Sequence, residues 1–137
     1  MIIDGKNLIA GRLASYAAKQ ALQGNDVQVI NSEQVLVTGS QKDLVKKQRE
    51  RQQRGHPYKG PFIPTREDRL LRRIIRGMLP FHYARGQTAY RKVKCYIGIP
   101  EELKDKKAET VPKSNISKTQ TLKYIRLSEL CRLSGKK

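Results

Sequence analysis

The stretch AGRLASYAAKQALQGNDVQVI (residues 10–30) decides the fold class, because it joins a helical pattern directly to a strand pattern. A helix is predicted over residues 10–22, where small apolar side chains recur on one face: Leu13, Ala14, Ala17, Ala18 and Ala21. Gly24 and Asn25 are typical of a helix end. The β-branched run Val27–Ile30 then predicts a strand. Small residues would let the helix lie close on a sheet, so the stretch predicts an α/β unit.

Further strands are predicted on both sides of this stretch. Met1–Ile3 precedes the helix, and Val35–Thr38 follows the strand. The runs Val27–Ile30 and Val35–Thr38 are almost continuously apolar, which is typical of strands buried on both faces of a parallel sheet. Later strands are predicted at Lys94–Ile97 and Leu122–Leu127. The alternation of strands and helices predicts a layered α/β fold.

Residues 41–53 predict a helix that is unusually polar. Ser40 can cap it, with Asp43 three residues later. Its only apolar residues are Leu44 and Val45, so we expect it to project from the body beyond its first turns. The loop RGHPYKGPFIP (residues 54–64) follows, and its prolines predict a rigid, extended connection.

The remaining helices are shorter. One is predicted to begin at Thr65 and end at Gly77, and another lies near Gln87–Lys92. Residues 101–118 are polar and predicted to be irregular, within a basic tail over residues 101–137. Ser128 can cap a last helix. Because 137 residues suit one domain and no repeat is found, residues 1–137 are expected to form a single domain.

The helix that ends at Gly77 is predicted to have two opposite faces. One face is aliphatic: Leu70, Leu71, Ile74 and Ile75. The other is made of arginines: Arg66, Arg69, Arg72, Arg73 and Arg76. Solvated faces usually mix charges, whereas arginines without acidic partners repel one another. Their planar guanidinium groups suit phosphate. A membrane-surface helix is the other reading, but the capped start and the stop at Gly77 favour a stripe docked on a sheet.

Charge is distributed unevenly along the chain. The formal net charge is +17. Residues 1–41 carry three Lys or Arg against three acids, residues 42–94 sixteen against four, and residues 95–137 ten against five. A neutral first third followed by a cationic middle favours a scaffold that presents residues 42–94 to a polyanion. No signal peptide or membrane-spanning run is recognised, so we expect no membrane partner.

Sequence motifs for catalysis are weak. GKNLIAGRL (residues 5–13) lies where a phosphate-binding P-loop would, but its glycine spacing is wrong, and Arg12 and Leu13 replace the lysine and the hydroxyl residue. His56 and His82 lie in separate basic segments without paired acids. We therefore expect no enzyme activity, metal, cofactor or small-molecule substrate. Cys95 and Cys131 are expected to be reduced thiols, although a disulfide stays possible.

The residues that could bind a polyanion such as RNA are mostly cations, together with two histidines and a tyrosine. His56 and His82 could stack on a base, contact phosphate or simply be exposed, and Tyr58 could stack on a base or anchor its loop. This set is Arg12, Lys42, Lys46, Lys47, Arg49, Arg51, Arg54, His56, Tyr58, Lys59, Arg66, Arg69, Arg72, Arg73, Arg76, His82, Arg85, Arg91, Lys92 and Lys94.

Several segments, in order, resemble the large-subunit ribosomal protein thirteen family. They are IAGRLASYAAKQALQG, VQVINSEQVLVTGS, KGPFIPTR, IRGMLP and ARGQTAYRKVKCYIGIP, which span most of residues 1–100. GHPYKGPFIPTRED and GIP resemble the archaeal and eukaryotic branch, and the short C-terminus favours an archaeal-type member.

The resemblance carries expectations of fold and function. It implies a three-layer α/β/α sandwich around a mostly parallel sheet of about four strands, with basic extensions. It implies a structural constituent of the large ribosomal subunit that binds large-subunit rRNA, supports assembly and lies beside neighbouring large-subunit ribosomal proteins in the cytoplasmic ribosome. It implies that Arg76–Pro80, Arg85 and Gly86 face RNA, which adds Gly77 and Gly86 to the candidate RNA-binding residues. An RNA- or mRNA-binding regulatory module outside the ribosome is the alternative.

Overall fold

The computed structural model describes residues 1–120 and 122–135. The strands are β1 (Ile2–Asp4), β2 (Val27–Ile30), β3 (Leu36–Thr38), β4 (Val93–Cys95) and β5 (Tyr124–Arg126). The helices are α1 (Ala10–Leu22), α2 (Gln41–Gln53), α3 (Glu67–Gly77), α4 (Ala84–Arg91) and α5 (Leu127–Leu133). Short 3-10 turns occupy Ser32–Gln34, Glu101–Leu103, Pro112–Ser114 and Ile116–Lys118. The predicted bounds of α1, β2 and α2 are confirmed.

The main sheet is parallel, in the order β1-β2-β4. Ile3 pairs with Val29 on one side of β2, and Val29 pairs with Cys95 on the other. The predicted α/β class is therefore confirmed. A core forms where the small residues of α1 meet this sheet and α3, with fully buried side chains at Leu13, Val29 and Leu71.

Strand β3 does not join the parallel sheet. It pairs antiparallel with β5, with Val37 opposite Ile125. Both edges of β2 are already occupied by β1 and β4, and Asn31 turns the chain away with a left-handed φ of 54°. The expectation that Val35–Thr38 is buried on both faces of a parallel sheet is therefore wrong.

Helix α2 lies against the body instead of projecting from it. Leu44 and Val45 pack against the core, and Gln48 is only 5 % exposed. The Arg49 guanidinium donates a 2.7 Å hydrogen bond to the backbone oxygen of Leu133 in α5. The expectation of a projecting helix is wrong, because polar residues continue the face that Leu44 begins.

The helix starts differ from the predicted caps. Ser40 holds the cap position of α2 but makes no side-chain capping hydrogen bond. Arg66, and not Thr65, precedes the first residue of α3. Arg126 precedes α5, so the assignment of Ser128 as its cap is wrong. The polar stretch 101–118 contains only short turns, yet Glu109 exchanges backbone hydrogen bonds with Ile2 and Asp4 beside β1.

Candidate nucleic-acid interface

Helix α3 presents arginines to the outside because its other face is fixed in the core. Leu71 and Ile75 are fully buried. Arg66, Arg69 and Arg76 are exposed, whereas Arg72 and Arg73 are partly buried. The predicted two-sided helix is therefore present, but its arginine face is not uniformly open.

Arg72 is held within the fold. Its guanidinium carbon lies 4.4 Å from the centre of the Tyr90 ring, and Nη2 donates a 3.4 Å hydrogen bond to the Tyr90 backbone oxygen. The same guanidinium lies near Cys95, where it lowers the pKa of the thiol. Burial outweighs this effect and raises the pKa of Cys95 to about 12. Arg72 thus links α3 to α4 and β4, and its predicted RNA contact stays a prediction.

Two other arginines of α3 have partners on the surface. Arg66 Nε lies 3.4 Å from Asp68 Oδ1, so the expectation that these arginines have no acidic partner is wrong for this residue. Arg76 lies over the Phe81 ring, 4.9 Å from its centre. Both side chains remain exposed, so these contacts orient their guanidinium groups without removing them from solvent.

The cations of α2 face two directions. Lys42, Lys46 and Arg49 lie along a groove of about 700 Å³ between α2 and Leu133 of α5. Lys47 and Arg51 instead face α3, where they line a smaller cavity of about 120 Å³. The structure therefore divides the predicted cations of α2 between two surfaces.

A larger cavity of about 410 Å³ lies between α2, α3 and the loop that joins them, and we call it the α2–α3 cavity. Arginines from all three segments line it: Arg51, Arg54 and Arg73. Its aliphatic lining comes from Pro61, Ile63, Leu70 and Ile74, and Gln48 and Gly77 complete it. The α2–α3 cavity brings together cations that are separated in the sequence.

The loop over residues 54–64 displays aromatic rings at its surface. His56 and Gly60 exchange backbone hydrogen bonds of 2.9 and 3.1 Å, which closes a tight turn. His56 Nδ1 also accepts a 3.2 Å bond from the Tyr58 backbone nitrogen. Tyr58 and Phe62 are 88 % and 72 % exposed. The loop therefore holds exposed aromatic side chains, with the exposed Lys59 between them, beside the α2–α3 cavity.

The two predicted glycines have different surroundings. Gly77 is exposed, and a Cβ atom placed on it would contact nothing. Gly86 is buried, and a Cβ atom there would clash with the backbone oxygen of Pro80. The observed role of Gly86 is thus a close approach between α4 and the turn at Pro80, and its RNA contact stays a prediction.

The other predicted cations are spread over the remaining surface. Arg12 Nη1 donates to the Lys113 backbone oxygen and to Thr119 Oγ1, at 3.4 and 3.3 Å. Lys92 Nζ donates a 2.7 Å bond to the backbone oxygen of Gly24 at the end of α1. Arg85 lines a separate concavity with Lys19 and Met78. Three more candidates are exposed and make no side-chain hydrogen bond or ion pair with residues 1–120 and 122–135: His82, Arg91 and Lys94.

Sequence reasoning missed the apolar and amide parts of the α2–α3 cavity. Gln48 and Ile63 are not charged, so a search for cations passed over them. A sequence signal for this face of α2 nevertheless exists. Leu44, Gln48 and Gln52 are spaced four residues apart. Such spacing places the glutamines on the face that Leu44 docks.

Neither a metal site nor a membrane span is found in the described ranges. Among residues 1–120 and 122–135, His, Cys, Asp and Glu side chains form no group of three that could hold a metal ion. The helices of the same ranges are too short or too polar to cross a bilayer.

The fold and the surface together define a small, basic α/β protein with a cationic face suited to a polyanion. The sequence matches the family described as Ribosomal protein L13 over residues 1–102. It is 42 % identical to the large ribosomal subunit protein uL13 of Methanosarcina barkeri, over 99 % of this chain and 98 % of that protein. The chain belongs to the ribosomal protein L13 family, as the resemblance predicted.

Other archaeal proteins of the same name are also similar. The protein from Methanopyrus kandleri is 39 % identical over 94 % of this chain and 82 % of its own length. The protein from Methanocaldococcus jannaschii is 39 % identical over 99 % of this chain and 98 % of its own length. The archaeal-type assignment is confirmed by these relatives, and the family consists of structural ribosomal proteins rather than enzymes.

Proposed function

We propose that this protein is a structural constituent of the large ribosomal subunit that binds large-subunit rRNA through phosphate contacts. The observation that carries this proposal is the cluster of arginines on α2, α3 and the loop between them. Arg51, Arg54 and Arg73 converge on the α2–α3 cavity, and Arg69 lies exposed on the same helix as Arg73. The names of the archaeal relatives support the same assignment.

These four arginines are available for an external anion. Across the described ranges, the side chains of four arginines make no hydrogen bond or ion pair: Arg51, Arg54, Arg69 and Arg73. Their mutual repulsion disfavours the free protein, and phosphates placed between them would relieve it. Binding would release counterions from the RNA, so its affinity should fall steeply as salt concentration rises.

The proposed role extends to assembly and to neighbours. A protein that holds several phosphates on one rigid surface can fix the relative positions of rRNA segments and so support subunit assembly. We place the protein in the cytoplasmic ribosome beside other large-subunit proteins. The remaining predicted residues, from Arg12 to Lys94, are proposed to add contacts around the central arginine cluster.

Two measurements test this function. The protein should co-sediment with large subunits in a sucrose gradient, and its affinity for rRNA fragments should show a steep slope against salt concentration. Weak binding at low salt without salt dependence would contradict the proposal. Tight, salt-dependent RNA binding without any large-subunit co-sedimentation would instead favour a regulatory module that acts outside the ribosome.

A further inference from the structure

The α2–α3 cavity has an apolar lining that phosphate binding alone does not require. Pro61, Ile63, Leu70 and Ile74 contribute it, while three arginines lie around it. A phosphate group interacts with cations and hydrogen-bond donors, and it gains nothing from aliphatic carbon. A nucleobase, in contrast, has apolar faces that are buried favourably against such side chains.

Gln48 supplies a buried polar group next to these arginines. It is 5 % exposed and lines both the α2–α3 cavity and the smaller one beside it. Within residues 1–120 and 122–135, its Nε2 atom has no hydrogen-bond partner. A buried amide N–H is costly to leave unpaired, which marks it as a donor for a ligand. The edges of nucleobases carry oxygen and ring-nitrogen acceptors that a small side-chain movement would bring to this donor.

We propose that the α2–α3 cavity receives the base of one unpaired nucleotide of the bound RNA. Its aliphatic lining would contact the base, Gln48 would donate to the base edge, and Arg51, Arg54 and Arg73 would contact the adjoining phosphates. This inference rests on the proposed RNA-binding function. The volume of about 410 Å³ lies at the lower end of the range for ligand pockets, about 300 to 1,000 Å³, which suits one nucleotide.

The surroundings of the cavity favour a nucleotide within an RNA strand over a free one. Arg54 and Pro61 also line an adjoining cavity that includes His56 and the exposed Phe62. A second base could therefore stack on Phe62 while the first occupies the α2–α3 cavity. Arg69, outside the cavity, could hold a further phosphate of the same strand. A free mononucleotide would use none of these additional contacts.

The test compares RNA hairpins that carry a single-nucleotide bulge with a fully paired hairpin of equal nucleotide number. The bulge carries each of the four bases in turn, and 2-aminopurine in a fifth hairpin reports the environment of the base. The intact protein should bind at least one bulged hairpin about tenfold more tightly than the paired one. The 2-aminopurine fluorescence should change on binding in the bulged hairpin but not in a fully paired hairpin that carries 2-aminopurine in its stem.

Two variants should remove the preference. Gly77→Leu would narrow the cavity from its rim, because Gly77 lines the cavity and a Cβ atom added there meets no other atom within 4 Å. Gln48→Leu would remove the unpaired donor. Each should bring the affinity ratio of bulged to paired RNA to about twofold or less. The matched control is Gly11→Leu, another exposed helical glycine with free space around it but on α1, which should keep the tenfold ratio.

The outcomes separate this inference from the proposed function. Equal binding of bulged and paired RNA by the intact protein would overturn the inference and leave salt-dependent RNA binding in place. Binding of neither RNA would overturn the proposed function and the inference with it. Millimolar AMP should leave the ratio unchanged; if AMP removed the preference, the cavity would be a site for a free nucleotide, and the assignment to an RNA strand would be wrong.

Discussion

Residues of the same type in the segment from Arg69 to Gly86 have different roles, which their residue type alone does not reveal. Arg72 and Arg69 are the same residue type on one helix, yet Arg72 stacks on Tyr90 while Arg69 is exposed. Gly77 and Gly86 differ in the same way, because only Gly86 is buried against the backbone of Pro80. Position in the fold thus decides whether each residue supports the structure or is free to meet a ligand.

Gly86→Ala should destabilise the protein, because its new methyl group would meet the Pro80 backbone oxygen. Overpacking of this kind costs about 1–3 kcal/mol of unfolding free energy, which urea denaturation would measure. Gly77→Ala is the matched control, since its methyl group meets open space. Gly77→Ala should lower the free energy of unfolding by no more than about 0.5 kcal/mol, and a slight increase is also consistent with the higher helix propensity of alanine. Equal effects of the two changes would show that Gly86 has no special packing role.

Arg72→Ala should lower stability by about 1–2 kcal/mol, because it removes the stacking on Tyr90 and the bond to the Tyr90 backbone oxygen. Arg69→Ala should leave the denaturation midpoint nearly unchanged and reduce the salt slope of RNA binding by about one. Thermal unfolding and binding titrations at several salt concentrations measure both variants. If the Arg72→Ala variant were as stable as the unchanged protein, the contacts between Arg72 and Tyr90 would contribute nothing to stability.

At the scale of elements, α2 and α3 cooperate through the space between them. Helix α3 docks its aliphatic face and holds arginines outward, while α2 docks Leu44 and Gln48. The loop over residues 54–64 closes one end of the α2–α3 cavity with Pro61 and Ile63. Two amphipathic helices and a rigid loop therefore produce a cationic surface with an apolar recess, which none of these elements has alone.

Changing Arg69, Arg73 and Arg76 together to Ala should weaken rRNA binding and reduce its salt slope by about three. The fold should persist, with a loss of about 0.5–1 kcal/mol from the Arg76 contact with Phe81. The matched control changes Lys106, Lys107 and Lys118 to Ala, which removes the same charge from the exposed tail. Unfolding of the α3 variant, or an equal loss of binding in the control, would contradict a phosphate surface centred on α3.

Gln48→Leu should raise the unfolding free energy by about 1 kcal/mol, because the Nε2 atom of this buried amide has no hydrogen-bond partner among the described residues and leucine is apolar and of similar size. Guanidinium denaturation measures this gain. Residues kept for binding often cost stability in this way. A loss of stability would instead show that the Gln48 amide supports the free fold.

At the scale of the whole molecule, the chain is proposed to act as one domain. Side chains from β1, α1, α3 and α5 contribute to the same hydrophobic cluster. Cys95 lies in β4 and Cys131 in α5, so the two thiols report on parts of the fold that are distant in sequence. A single cooperative unit should expose both thiols in the same transition.

The native protein at pH 8 should resist alkylation by iodoacetamide at both thiols. Burial raises the pKa of Cys95 from 9.0 to about 12, and Cys131 is fully buried, while the reaction needs an accessible thiolate. The unfolded state therefore loses the Cys95 proton at lower pH than the folded state. The free energy of unfolding should decline for this reason as pH rises from 9.0 towards 12. Mass spectrometry across a urea series should show both sites becoming reactive together; separate midpoints would indicate two units.

The sequence by itself determined the α/β class, the bounds of α1, β2 and α2, and the cationic middle of the chain. These depend on local periodicity and charge, which neighbouring residues express without reference to the rest of the fold. The resemblance of IRGMLP and the other quoted segments to the ribosomal protein L13 family predicted the membership that the family match confirmed.

Only the tertiary structure decided which strand β3 pairs with, how α2 docks, and which arginines are free. β3 pairs with β5, and this pairing joins residues that are far apart in the chain, such as Leu36 and Arg126. Arg72 is engaged because Tyr90, on another helix, comes to lie beneath it. The α2–α3 cavity arises from the spacing of two helices and a loop. These features depend on packing between residues that are far apart in the chain, and local sequence patterns contain no direct information about such packing.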